Sequence, residues 1–149
     1  MSLDYRLTLA GAIPVEQIAE RALPSPDERP TGTAPLLSVR LAERYGFDVS
    51  VHAGRNGYVD ALSDNGEWEW EPADYVDVSF HVDKVTEMDV VAINLLTVTR
   101  RVLNSGPEDA ALVLNGDILL LARFQGALVK HNHEKWWSYY PVAEQLFPG

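Results

Sequence analysis

Alternation of polar and apolar side chains is sharpest between Tyr58 and Glu71, where two runs flank Asn65-Gly66. Asn-Gly between alternating runs signals a β-hairpin, because both residues tolerate the backbone a tight turn needs. Successive side chains of a strand point to opposite faces, so Glu67, Glu69 and Glu71 must share one face and Trp68 and Trp70 the other. A two-residue turn would set Asp64 opposite Glu67 and Asp60 opposite Glu71. One face would then carry these five carboxylates, at roughly a few tenths of a kcal/mol for each like-charged pair.

The same reading continues along the chain. Asp4 to Leu9 alternates, with Tyr5, Leu7 and Leu9 on one side, and predicts a strand. Pro14 suits the first turn of a helix that carries Val15, Ile18, Ala19 and Ala22 at helical spacing. Pro24, Pro26 and Pro30 with Thr31, Gly32 and Thr33 read as a surface loop. Ser38 suits the cap of a short helix through Leu41 and Tyr45 that ends at Gly46, with a strand as the competing reading.

Phe47 to Ala53 reads as a strand with Phe47, Val49, Val51 and Ala53 inward. Its expected partner is the run from Tyr58. A two-residue turn at Asn56-Gly57 would bury Asp60 and Asp64. A three-residue loop, Arg55-Asn56-Gly57 with Gly57 left-handed, brings Val59, Ala61, Trp68 and Trp70 to the apolar face instead. Burying unpaired carboxylates costs far more than a bulge, so the second version is preferred. A further version makes Asp64-Asn65-Gly66 a three-residue loop and buries Tyr58, Asp60 and Leu62. The glutamates face away from the tryptophans in either case.

Tyr75 to Val82 predicts a strand with Val76, Val78, Phe80 and Val82 inward and Tyr75, Asp77, Ser79 and His81 outward. Thr86 and Asp89 resemble a capping box for a helix running to about Leu103. Apolar residues nearly encircle its first half, which places it in the middle of the core. Ala110 to Ala122 predicts a second hairpin turning at Asn115-Gly116. Leu112, Leu114, Leu119 and Leu121 line one face, and Val113, Ile118 and Leu120 the other, so both faces must be covered. Gln125-Gly126 turns into a last strand, Ala127 to Lys130. Trp136, Trp137, Tyr139 and Tyr140 then clamp the end of the sheet before a short helix from Pro141.

The expected fold is one α+β domain over residues 1–149: a mostly antiparallel sheet, one long central helix, and shorter N- and C-terminal helices. The order of elements suggests a doubled strand–helix–strand–strand unit.

Charge sharpens this picture. The chain has 22 acidic and 12 basic side chains, net −10, which argues against nucleic acid or an anionic membrane as partner. The acidity is local: ten acids and one base, Lys84, lie between Asp60 and Asp89. Cysteine is absent, so disulfides and thiolate metal sites are excluded and a cytoplasmic location is allowed. There is no apolar run of the ~20 residues that span a bilayer, and no signal-peptide pattern.

Candidate chemistry is sparse. His131 and His133 alternate as metal ligands can, but no third ligand is evident, and a polar strand end before a helix capped by Asn132 is the better reading. Asp60 with Glu71, or Asp64 with Glu67, could pair as acid and base or bind a cation; adjacent carboxylates on an exposed strand pair are more often a charged face. No phosphate-binding glycine loop or nucleophile elbow occurs. The expectation is therefore no catalytic residue, no metal and no cofactor. The acidic face is the better candidate: Asp60, Asp64, Glu67, Glu69, Glu71, Asp74 and Asp77 as a surface for a cationic partner. Protection of a sheet edge by charge is an equal competitor on these residues alone.

Several stretches resemble the Sit-type bacterial immunity family, its third group: Y-R-L-T-L-A-G near the start, R-Y-G-F at 44–47, A-G-R-N-G-Y-V-D at 53–60, W-E-W-E-P at 68–72, G-P-E-D-A-A-L-V-L-N-G at 106–116 and L-V-K-H-N at 128–132. The resemblance implies a cytoplasmic protein that binds and neutralises a cognate toxin passed between sibling cells. It brings no catalytic residues. The expected function is thus an immunity protein that meets a basic toxin through its acidic surface. The alternative is a small-molecule-binding module with an apolar cleft between two halves, lined by Trp68, Trp70 and Tyr75.

Overall fold

In the computed structural model, which describes residues 3–148, ten strands form one sheet. Strand β1 (Asp4–Ala10) leads into helix α1 (Val15–Ala22), whose stripe of Val15, Ile18, Ala19 and Ala22 is buried as its spacing requires. The proline-rich stretch expected as a loop contains a 3₁₀ turn, Pro26–Glu28, and an edge strand, β2 (Thr31–Thr33). Strand β3 (Leu36–Val39) takes Ser38, and helix α2 (Ala42–Tyr45) starts later than the helix expected from that serine. Its cap comes from the next strand: Asp48 Oδ1 accepts from the Leu41 and Ala42 N–H groups at 3.0 and 3.2 Å. Gly46 ends the helix at φ +91°, where a Cβ would lie 2.8 Å from Val91 Cγ2.

The remaining elements are β4 (Phe47–Arg55), β5 (Val59–Ser63), β6 (Gly66–Trp70), β7 (Asp74–Val82), α3 (Met88–Asn104), β8 (Ala110–Leu114), β9 (Ile118–Phe124), β10 (Ala127–Lys130) and α4 (Pro141–Glu144). The sheet order is β2-β3-β4-β7-β1-β8-β9-β5-β6, with β10 also on β9. Pairing is antiparallel except for one parallel bridge, Leu62 to Ile118. Strand β1 stands between the β4–β7 pair and the β8–β9 hairpin. Helices α1, α3 and α4 pack on one face, over Leu7, Leu9, Phe47, Val49, Val51, Val76, Val78 and Phe80. The α3 capping box does not form; Glu87 holds the cap position without a side-chain bond. The two tryptophans of the tail clamp the sheet: Trp136 Nε1 donates to Tyr5 Oη at 3.0 Å, and Trp137 Nε1 to the Leu120 carbonyl at 3.2 Å, whereas Tyr139, expected in the same clamp, is 67% exposed.

Three expectations need correction. First, β4 does not pair with β5. It pairs with β7 over its whole length, from Phe47–Val82 to Arg55–Asp74, and with β3 on its other side. Two nine-residue strands satisfy more backbone together than β4 could with five-residue β5. Asn56, not Gly57, is left-handed, at φ +54°.

Second, the β5–β6 turn is Asp64-Asn65, with Gly66 at φ +101°. Asp60 therefore faces Glu69, and Leu62 faces Glu67. The slip from the expected register is two residues, which leaves every side chain on its expected face.

Third, the β8–β9 loop takes three residues, Asn115-Gly116-Asp117, where a two-residue turn at Asn115-Gly116 was expected, so Leu114 faces Ile118, and a bulge follows between Leu112 and Val113. Leu112 then pairs with Leu121 while Val113 pairs with Leu119. Leu119 moves to the helix-free face and Leu120 joins Leu121 in the main core.

The sheet cannot be flat. From Trp70 to Asp74 the chain advances four residues, a reach of at most ~14 Å. In a flat sheet, β6 and β7 would be five strand steps apart, or ~24 Å. The sheet therefore curls, with its helix-free face on the concave side. One part of that face is filled by Ala61, Ala111, Val113, Leu119 and Ala122, packed by Val59, Trp68, Trp70 and Phe124.

Candidate functional site: the acidic hairpin and the concave sheet face

Strand parity sorts the β5–β6 hairpin into a dry side and a wet side. The indoles of Trp68 and Trp70 lie 5.9 and 5.2 Å from the Phe124 ring. They fill the second core, so they do not line an apolar cleft between halves. Asp60, Glu67 and Glu69 are exposed on the opposite side, and Glu71 is exposed just past β6. Asp60 and Glu69 are direct cross-strand partners. Among the described residues none of these four carboxylates forms a salt bridge. Two apolar side chains share the face: Tyr58 is 57% exposed and Leu62 42%. The Tyr58 hydroxyl donates to Glu69 Oε1 at 3.1 Å, and that bond to a carboxylate raises its pKa.

The other three acids expected at the surface have different surroundings. Asp64 sits in the turn, where its Oδ1 accepts from the Asn132 N–H at 2.9 Å and its Oδ2 lies 3.8 Å from His131 Nδ1. Asp74 stands 3.9 Å from Arg55 Nε in an exposed pair. Asp77 points away from the helices, as its parity requires, yet is only 8% exposed. Thr8 Oγ1 donates to Asp77 Oδ1 at 2.6 Å, and Arg6 Nε is 3.9 Å from Oδ2. Burial pushes the Asp77 carboxyl above the usual carboxylate range, against the opposing pull of Thr8, Arg6 and His52.

The His-x-His pair separates. Asn132 between them is left-handed at φ +59°. His131 turns to Asp64, while His133 Nε2 contacts Glu144 Oε1 at 2.6 Å beside Lys130. Lys130, then His133, hold the Glu144 carboxyl below its usual value. Among the described residues no three His, Asp or Glu side chains gather as a metal site.

The concave face holds a groove of about 950 Å³. Its lining includes Thr8, Ser50, Asp77 and Ser79 from the sheet and Tyr58 and Asp60 from the start of the hairpin. Tyr75, placed in an apolar cleft by the small-molecule reading, lines this polar groove instead. The positions of Tyr58 and Leu62 on the acidic face follow from their spacing to Asp60. The groove had no local signal, because it arises where strands distant in sequence curl together.

No helix among the described residues is long and apolar enough to cross a membrane. No curated protein and no solved structure matches the chain. The model of one protein family, SitI3-like, matches residues 3–141. Nearly the whole chain lies within that match, and the protein therefore belongs to the SitI3-like family, the Sit-type immunity family its motifs resemble, which implies a toxin as its partner in general.

Proposed function

We propose that the protein neutralises a basic cognate toxin in the cytoplasm by stoichiometric binding through the outer face of the β5–β6 hairpin. The observation that carries this reading is the exposed Asp60–Glu69 cross-strand pair, which has no basic neighbour in salt-bridge range among the described residues. Directly opposed like charges cost roughly a few tenths of a kcal/mol or more. A cationic partner turns that repulsion into attraction and speeds encounter.

Charge that only guards a sheet edge gains nothing from large apolar groups. Tyr58 and Leu62 stand exposed among Asp60, Glu67 and Glu69, which suits an interface with an apolar centre and a polar rim. Asp64, Glu71 and Asp74 flank this centre, and Asp77 lies deeper, on the concave side.

The test is protection of toxin-exposed cells by the triple variant Glu67→Lys, Glu69→Lys, Glu71→Lys, with thermal unfolding measured in parallel. Protection should be lost while the unfolding transition is kept. Full protection by a folded triple variant removes the hairpin face from the mechanism.

A further inference from the structure

We infer that the groove on the concave sheet face receives an arginine side chain of the partner protein, seated on Asp77 between Tyr58 and Tyr75. This rests on the reading of the partner as a basic protein and extends its footprint from the hairpin's outer face onto the sheet.

Three observations carry it. The first is the state of Asp77. Its side chain is 12% exposed, and the carboxylate accepts one hydrogen bond, from Thr8 to Oδ1. Oδ2 accepts none among the described residues; the Arg6 Nε at 3.9 Å is beyond hydrogen-bond distance, and the Arg6 side chain is 65% exposed. A buried carboxylate with an open oxygen gains from a donor that bonds both of its oxygens, as a guanidinium does. Burial already raises the Asp77 pKa, which is the mark of a charge short of partners.

The second observation is the wall chemistry. Tyr58 and Tyr75 both line the groove, and a planar cation stacks favourably on aromatic rings. Asp60 and Asp117 add negative charge at the lining, against the single guanidinium of Arg6. Asp4 and His81, also in the lining, are paired with each other.

The third is continuity. Tyr58 and Asp60 belong to the hairpin's acidic face and to the groove lining at once. A partner lying on that face has the groove within reach of a long side chain, and a pocket of about 950 Å³ accommodates one.

The experiment titrates isotope-labelled protein with acetyl-Gly-Arg-Gly-amide and, separately, with the same peptide bearing citrulline, which keeps the shape and removes the charge. Amide shifts should appear at Thr8, Asp77 and Ser79 with the arginine peptide only. Asp77→Asn, which keeps an oxygen for Thr8, should weaken the arginine peptide by about tenfold or more. Ser79→Trp, which fills the groove while leaving Asp77 itself unchanged, should abolish the shifts. Equal shifts with citrulline, or shifts that persist in both variants, overturn the inference. Shifts confined to Asp60, Glu67 and Glu69 also overturn it and leave the hairpin reading standing. Groove shifts together with full protection by the triple lysine variant would sink the hairpin reading instead.

Discussion

Asn132 donates its side-chain amide to the Leu62 carbonyl at 2.8 Å and to the Leu119 carbonyl at the same distance. The outer edge of β9 is shared, by β5 at its start and by β10 at its end. Where the two ladders diverge, carbonyls would face no backbone donor, and this 4% exposed amide supplies the missing donors. Asp64 fixes the same junction by accepting from the Asn132 N–H. Asn132→Ala should cost about 2–4 kcal/mol in urea unfolding, from unpaired carbonyls and from a left-handed backbone that alanine resists. Asn132→Gly should cost less, because it loses the amide but not the backbone fit. Asn132→Asp should be the worst at neutral pH, with a carboxylate pressed against two carbonyls.

Stability and function should move in opposite directions at Glu69. Replacing it with lysine puts opposite charges across from each other at Asp60. Glu69→Lys should stabilise the fold by about 0.5 kcal/mol at low salt and weaken toxin neutralisation. Thermal unfolding at low and high salt, beside the protection assay, checks both signs. A loss of stability would mean that the lost Tyr58 bond, or a cationic neighbour of Glu69 in solution, outweighs the repulsion across the strands.

Asp77 should make the protein less stable as pH rises. Its folded pKa is raised above the ordinary 3.8. Between these two values the folded state holds a proton that the unfolded chain has released, so stability falls with rising pH across that window. Asp77→Asn removes this dependence. The variant should be more stable than the parent at neutral pH, and the difference should vanish below about pH 3.8. Urea midpoints measured from pH 3 to 7 would show the divergence; parallel curves would refute it.

Glu108 should act with the reverse sign. Arg21 grips it through two bonds, Nη2 to Oε1 at 2.7 Å and Nη1 to Oε2 at 3.0 Å, with both side chains about 15% exposed. Arg21 also donates to the Val102 carbonyl and to Ser105 Oγ, so it ties the end of α1 to the end of α3. This pairing holds the Glu108 carboxyl below its ordinary 4.5. Its stabilisation is complete above that value and is lost as pH falls through the lower folded one. Glu108→Gln should cost about 1–3 kcal/mol at pH 7 and converge with the parent in acid.

Local periodicity carried much of this molecule. The spacing of Val15, Ile18, Ala19 and Ala22 and the long apolar run before Arg100 and Arg101 located α1 and α3. The motifs also pointed to the family. From sequence alone Asp64 is one more surface carboxylate, because its partner, Asn132, lies 68 residues away. The three-residue loop Asn115-Gly116-Asp117 reversed the side of Leu119, since one extra residue changes parity and alternation alone does not reveal it.

The chain's own alternation determined that Trp68 and Trp70 go inward while Glu67 and Glu69 meet water. Side-chain parity is a property of neighbouring residues and survives a register slip of two. Only the tertiary structure decided which strand β4 would choose and that the sheet would curl into a groove over Asp77. Those outcomes depend on ladder length and on how far a three-residue connection can reach, and both are set by segments far apart in sequence.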